Sequence, residues 1–293
     1  MQEAIRFKKQ RDLGDVLTDT FKFIRQEWKP LFSLILRIAG PALLIVVLAY
    51  VFYLQTTLGS IGVFDPAYSG TLGASVLLAF GTLIIAALVY YALLYGTILN
   101  YIRSYVENNG VVDIPAVKAG VKQNFWSLLG LNVLVGLIIG VGFVFCFFPG
   151  VYVGVVLASA ASVLVFERRD VSDSISYCFQ LIKNEWWITF ATLLVLAIIY
   201  YMIAIIFQVP QYIYFFIKGF TMAQEVSGAD PTSMFDWGYM TLSALGMIAN
   251  YLLQTILIIG TVLVYFHLNE KKNFSGTMET IEQLGQDTTN DHV

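Results

Sequence analysis

From residue 127 to residue 167 the chain reads SLLGLNVLVGLIIGVGFVFCFFPGVYVGVVLASAASVLVFE, with no charged side chain before Glu167. A bilayer core about 30 Å thick is crossed by about 20 apolar residues in a helix, and this stretch is long enough to cross twice. Pro149-Gly150 divides it with almost no room for a loop, so the two halves read as an antiparallel helical hairpin within lipid. Working outward, further apolar runs occupy 31–54, 74–104, 187–217 and 239–268. With 127–148 and 150–166 they make six expected spans.

The composition agrees. Of 293 residues, 58% are hydrophobic and only 13% charged, whereas soluble domains carry about 25% charged residues. Every Lys and Arg except Arg37 and Lys218 falls in one of four segments: Arg6 to Lys29, Arg103 to Lys122, Arg168 to Lys183, and Lys271-Lys272. An even number of spans between these segments places them all on one side. Positive charge collects on the cytoplasmic side, so both termini are expected there. The stretch Arg6, Lys8, Lys9, Arg11 is expected at anionic headgroups, which attract each nearby cation by about 1 kcal/mol. These charges are few and beside membrane spans, which argues against a nucleic-acid partner. About thirty polar residues precede the first span, so no cleavable signal peptide is expected.

The expected fold class is an all-α integral membrane protein with six transmembrane helices and three interfacial amphipathic helices. Leu13, Val16, Leu17, Ile24 and Trp28 form one apolar stripe at helical spacing, and Val171, Ile175, Cys178, Ile182 and Trp186 form another. When Asp12 is laid on Asp170, then Asp15, Phe21, Ile24, Glu27, Trp28 and Phe32 fall on Asp173, Phe179, Ile182, Glu185, Trp186 and Phe190. A fainter copy runs from Asp113 and Pro115 to Phe125. Each unit would be one interfacial helix followed by two spans, giving a pseudo-threefold repeat over about 12–107, 113–167 and 170–268. Residues 1–272 then form one membrane domain, and the polar stretch 273–293 reads as disordered.

Within the hairpin, Gly136 and Gly140 on one span face Gly150, Gly154, Ala158 and Ser162 on the other, a spacing of small residues that lets backbones approach. Gly140 is expected opposite Ala158, and Gly136 opposite Ser162. Pro41 and Pro210 are expected to bend their helices.

Few residues carry chemistry. Arg37 is the one charge well inside an expected span; snorkelling to the headgroups accounts for it, with a hydrogen bond inside the bundle or contact with a lipid phosphate as alternatives. Asn100, Asn132, Gln208, Asn250 and Gln254 lie in or near spans, where polar side chains bond across helices. Asn250 and Gln254, one turn apart, are the best pair for a substrate path. His267 and His292 are isolated, Cys146 and Cys178 cannot frame a disulfide scaffold, and no metal-ligand spacing, nucleophile with its base, or phosphate-cradling glycine loop is present. No cofactor is expected.

Leu13-Gly-Asp-Val-Leu-Thr-Asp-Thr-Phe21, the run Pro149-Gly-Val-Tyr leading through Val165-Phe-Glu167, and Ser174 to Trp187 with its Lys-Asn-Glu-Trp-Trp ending span most of residues 12–190. Together they resemble a bacterial six-span membrane family, the membrane domain found beside glycerophosphoryl diester phosphodiesterase catalytic domains. In enzyme-bearing members of such a family the chemistry lies in a separate soluble barrel, for which this chain has no expected room. The resemblance implies a bacterial cytoplasmic membrane and a non-catalytic module working near lipids or glycerol-containing polymers.

The expected function is a non-enzymatic module that contacts membrane lipids and scaffolds or regulates a membrane or cytoplasmic protein partner. A transporter or flippase for a lipid or apolar solute is the alternative, and an intramembrane enzyme is disfavoured for want of groups placed to attack or move protons.

Overall fold

The computed structural model describes residues 5–58, 71–224, 235–274, 276 and 278. Among them the chain forms nine helices: α1 (Leu13–Ile38), α2 (Gly40–Leu58), α3 (Thr71–Glu107), α4 (Ile114–Phe145), α5 (Phe147–Leu157), α6 (Ala160–Phe166), α7 (Val171–Leu181), α8 (Trp186–Gln224) and α9 (Trp237–Asn273). Six stretches are long and apolar enough to cross a membrane: Gly40–Thr57, Gly73–Glu107, Ile114–Phe145, Phe147–Phe166, Trp186–Thr221 and Trp237–Asn273. Their outer faces carry Leu44, Leu48, Leu77, Val144, Phe148 and Phe216, all largely exposed. Water would not tolerate such a continuous apolar surface, but hydrocarbon solvates it. The chain is a multi-pass, all-helical membrane protein.

Local chemistry sets the helix boundaries. Asp12 caps α1, its side chain accepting from the Asp15 N–H at 2.8 Å, and Asp236 caps α9 by accepting from Tyr239. Such caps satisfy N–H groups that the first turn leaves unpaired. Asn109 and Gly110, with φ of 50° and 96°, reverse the chain after α3; Arg168, Asn184 and Phe274 also adopt left-handed backbone beside helix ends. Lys271 and Lys272 occupy the last turn of α9, where cations offset the helix dipole.

Long-range contacts gather the basic segments at one end of the bundle. The Ile5 N–H donates to Tyr105 Oη, the Arg11 N–H to His267 Nδ1, and Tyr101 Oη to Glu27. Lys271 pairs with Glu185 at 2.6 Å, and Asn273 donates to Tyr177. A buried aromatic cluster fills the space behind these contacts: Phe7 packs edge-on against Phe23, Tyr105 and Phe266, and Phe166 stacks on Tyr265.

Several boundaries differ from the sequence reading. The first span begins at Gly40, because α1 runs on to Ile38 and the chain breaks at Ala39. Pro41 therefore sits in the first turn of α2, where its missing N–H costs nothing, and starts a helix instead of bending one. Pro149 likewise lies in the first turn of α5, and Cys146 alone links α4 to α5. The fourth span is two helices, interrupted at Ala158 and Ser159.

The three expected amphipathic units are not alike. α7 ends at Leu181 and the chain turns through Asn184 before α8, while α1 continues straight through the corresponding positions. α4 is one continuous helix over both its expected interfacial part and its span. On α1 the buried face is Val16, Asp19, Thr20, Phe23, Leu31, Leu34 and Ile35, so Ile24 is half-buried and Trp28 points outward at 52% exposure. Of the expected loops 55–73 and 218–238, residues 59–70 and 225–234 lie outside the described residues, as does nearly all of the tail 273–293, while 55–58, 71–73 and 218–224 are helical.

Candidate functional site

Asn250 and Gln254 face a layer of tyrosines between α3, α8 and α9. Tyr200 Oη donates to Asn250 Oδ1 at 2.7 Å, and Gln254 Nε2 donates to Tyr91 Oη at 2.7 Å. Tyr90 Oη reaches the Tyr251 carbonyl at 3.2 Å, and the rings of Tyr90, Tyr91 and Tyr251 pack against one another. Both amides expected to line a substrate path thus hold three helices together. In hydrocarbon an amide without a partner is costly, which is why the tyrosines sit opposite them. Gln254→Leu is expected to lower stability by about 0.6–2 kcal/mol, read as a lower melting temperature in detergent, with Tyr91→Phe in the Gln254→Leu background adding little more.

Gln208 accepts from Tyr212 one turn along α8. Asn100 donates to the Gly96 carbonyl and accepts from Asn124 Nδ2 at 3.4 Å, linking α3 to α4. Asn132 lines a cavity of about 180 Å³ with Tyr95, Ile139, Gly154 and Ala158, and its Nδ2 has no partner among the described residues.

Arg37 is not inside a span. It occupies the exposed last turn of α1, where a cation meets the negative end of the helix dipole. The helix boundary at Ala39, followed by Gly40-Pro41, leaves it outside the six candidate spans. The expected glycine seam is also displaced. Gly136 and Gly140 face open space, with nothing within 4 Å of where a side chain would begin. Gly154 has one ordinary contact, with Ile139 at 4.0 Å, and Ala158 borders the cavity instead of meeting Gly140. Of the expected row, Gly150 does make a close approach, and further tight contacts lie at Gly142 and Gly120. A Cβ on Gly142 would lie 3.0 Å from Gly150 Cα, one on Gly150 would strike the Phe143 ring, and one on Gly120 would overlap the Asn100 amide. Gly120 was legible only as part of an interfacial segment, so nothing marked it as a helix crossing.

The most highly organised polar site is one that sequence reasoning placed at the headgroups. Arg11 is 4% exposed. Its Nε lies 2.9 Å from Asp19 Oδ2, Nη1 donates to the Phe7 and Lys9 carbonyls, and Nη2 donates to the Arg6 carbonyl. Lys9 Nζ also reaches Asp19 at 3.1 Å. One guanidinium thereby folds residues 6–11 into a strap across the basic end, with Ile5 and Phe7 buried beneath the other strands of contact. Burial pulls the Arg11 guanidinium below its ordinary value, and the Asp19 carboxylate opposes this. At Asp19, burial pushes upward but is outweighed by hydrogen bonds from Arg11 and Lys9, so the carboxyl stays below the usual range.

The two thiols differ as well. Cys178 is buried on α7 and burial raises its thiol to about 12, whereas Cys146 is exposed at the α4–α5 turn. Thiolate is the reactive form. Maleimide applied to the folded protein is expected to spare Cys178 until denaturant is added, as peptide mass mapping would report.

On its outward side α1 presents Phe21, Ile24, Arg25, Trp28 and Phe32 around an open concavity of about 620 Å³, with Lys29 5.8 Å from the Trp28 ring centre. Aromatic and basic side chains on one helix face suit the boundary between headgroups and acyl chains. In comparisons with known proteins, the chain matches no family model, no curated protein and no solved structure.

Proposed function

We propose that this chain is a non-enzymatic membrane module that contacts lipid headgroups at its basic end and scaffolds or regulates a partner protein. The bacterial cytoplasmic membrane is its proposed location, with both termini on the cytoplasmic side, as the positive-inside rule and the resemblance to the phosphodiesterase-associated membrane family imply. The supporting observation is the outward face of α1, where Phe21, Trp28 and Phe32 flank Arg25 around an open apolar concavity. Such a face holds acyl chains and phosphates together.

The transporter reading draws on the polar layer around Asn250 and Gln254. Those amides are engaged with Tyr200 and Tyr91, which favours a structural role for them. Reconstitution into vesicles containing fluorescent phosphatidylglycerol or phosphatidylcholine separates the two readings. Dithionite quenching should show lipid crossing no faster than in protein-free vesicles. Acceleration by the protein, abolished by Gln254→Leu, would establish the transporter reading and end this one.

A further inference from the structure

A second groove lies between α1, α3 and α4, lined by Ile38, Leu93, Lys118, Val121, Lys122, Phe125 and Trp126, with a volume of about 440 Å³. Its floor is apolar: Val121 is buried, and Leu93 and Phe125 pack against the core. Trp126 stands at its edge, 75% exposed. The cations are confined to one end, since Lys118 and Lys122 precede Trp126 on α4 by one to two turns, a rise of about 6–12 Å.

The two lysines are one turn apart on the same face. Like charges at that spacing repel, and neither has an acidic partner within ion-pair distance among the described residues. An exposed tryptophan next to them marks the headgroup level of a helix entering a bilayer. An occupant that removes the repulsion must be anionic at the lysine end, and one that covers Ile38, Leu93 and Phe125 must be apolar below it. Both demands are met by one molecule lying along α4.

We infer that this groove is a specific site for an anionic phospholipid, its phosphate bridging Lys118 and Lys122 and an acyl chain lying on Ile38, Leu93, Val121 and Phe125. The site is separate from the α1 face but rests on the reading of the chain as a lipid-contacting module. A glycerophospholipid with net negative charge fits; a zwitterionic one brings its own cation to the lysines and loses the advantage.

Native mass spectrometry of the full chain, released from nanodiscs containing equal dioleoylphosphatidylglycerol and dioleoylphosphatidylcholine, tests this. The wild-type chain should retain phosphatidylglycerol preferentially. The Lys118→Gln/Lys122→Gln variant should lose that preference by about 10- to 30-fold, as two cations at a lipid surface warrant. Arg168→Gln/Lys183→Gln, two exposed cations of the basic end outside both the groove and the α1 face, should leave it unchanged. Because Lys118 and Lys122 are exposed, the variant should keep the parental melting temperature in the absence of phosphatidylglycerol. Retention unchanged in Lys118→Gln/Lys122→Gln but lost in Lys22→Gln/Arg25→Gln would overturn the groove while leaving the α1 reading intact. No preference for phosphatidylglycerol in the wild-type chain would overturn both.

Discussion

Arg11→Leu is expected to destabilise the protein by about 3–5 kcal/mol, the cost of leaving a buried carboxylate without its partner. Asp19 would keep only Lys9, whose side chain is 45% exposed, and the carbonyls of Arg6, Phe7 and Lys9 would lose the donor that curls the strap. Thermal unfolding in detergent should show the loss, and limited proteolysis should cut between residues 5 and 12 in the variant under conditions that spare the parent. Arg11→Leu combined with Asp19→Leu should recover much of the stability, because replacing both members of a buried pair by apolar groups is often neutral. Acid should mimic the single variant. The Asp19 carboxyl sits below its ordinary value when folded, so its contribution is complete above about pH 4 and declines as pH falls further. Protease protection of the strap should therefore weaken below about pH 4, and Asp19→Asn should abolish that dependence.

Gly120→Leu carries the second large effect. A side chain there would displace the Asn100 amide, breaking its bond to the Gly96 carbonyl and its contact with Asn124. Overpacking costs about 1–3 kcal/mol, and an amide stranded in the bundle adds about 1–3 kcal/mol more. Gly140→Leu, on an open helix face, should stay within about 0.5 kcal/mol of the parent. Melting temperatures of the two variants side by side decide whether the tight crossing is α3 with α4 or the expected glycine seam of the hairpin.

The contrast shows which features a linear reading reaches. Span number and position were legible because a bilayer demands length and apolarity, and 127–166 or 239–268 satisfy both without reference to any neighbour. The grouping of Lys and Arg was legible for the same reason, and the contacts of Ile5, Glu185 and His267 bring those segments to one end. Partner choice was not. Arg11 looks like Arg6, Lys8 and Lys9 in sequence, and only the placement of Asp19 and His267 in three dimensions singles it out. Small residues at four-residue spacing predict a seam but not which helix faces it: Gly136 and Gly140 face open space, while Gly120, in a segment read as interfacial, meets α3. Arg37 reads as intramembrane when the apolar run is carried across Gly40-Pro41, where α1 ends and α2 begins. Asn250 and Gln254 were found by spacing alone, yet their partners Tyr200 and Tyr91 come from helices far away in the chain.

Six spans are expected to bring all four basic segments to one face of a membrane. Single cysteines placed in a Cys146→Ser/Cys178→Ser background and probed with a membrane-impermeant maleimide on intact cells report that arrangement. Ser60→Cys and Ser227→Cys should label from outside, while Gln2→Cys, Asn109→Cys and Thr288→Cys should label only after permeabilisation. Labelling of Gln2→Cys and Thr288→Cys from opposite sides would contradict the account, because it requires an odd number of crossings.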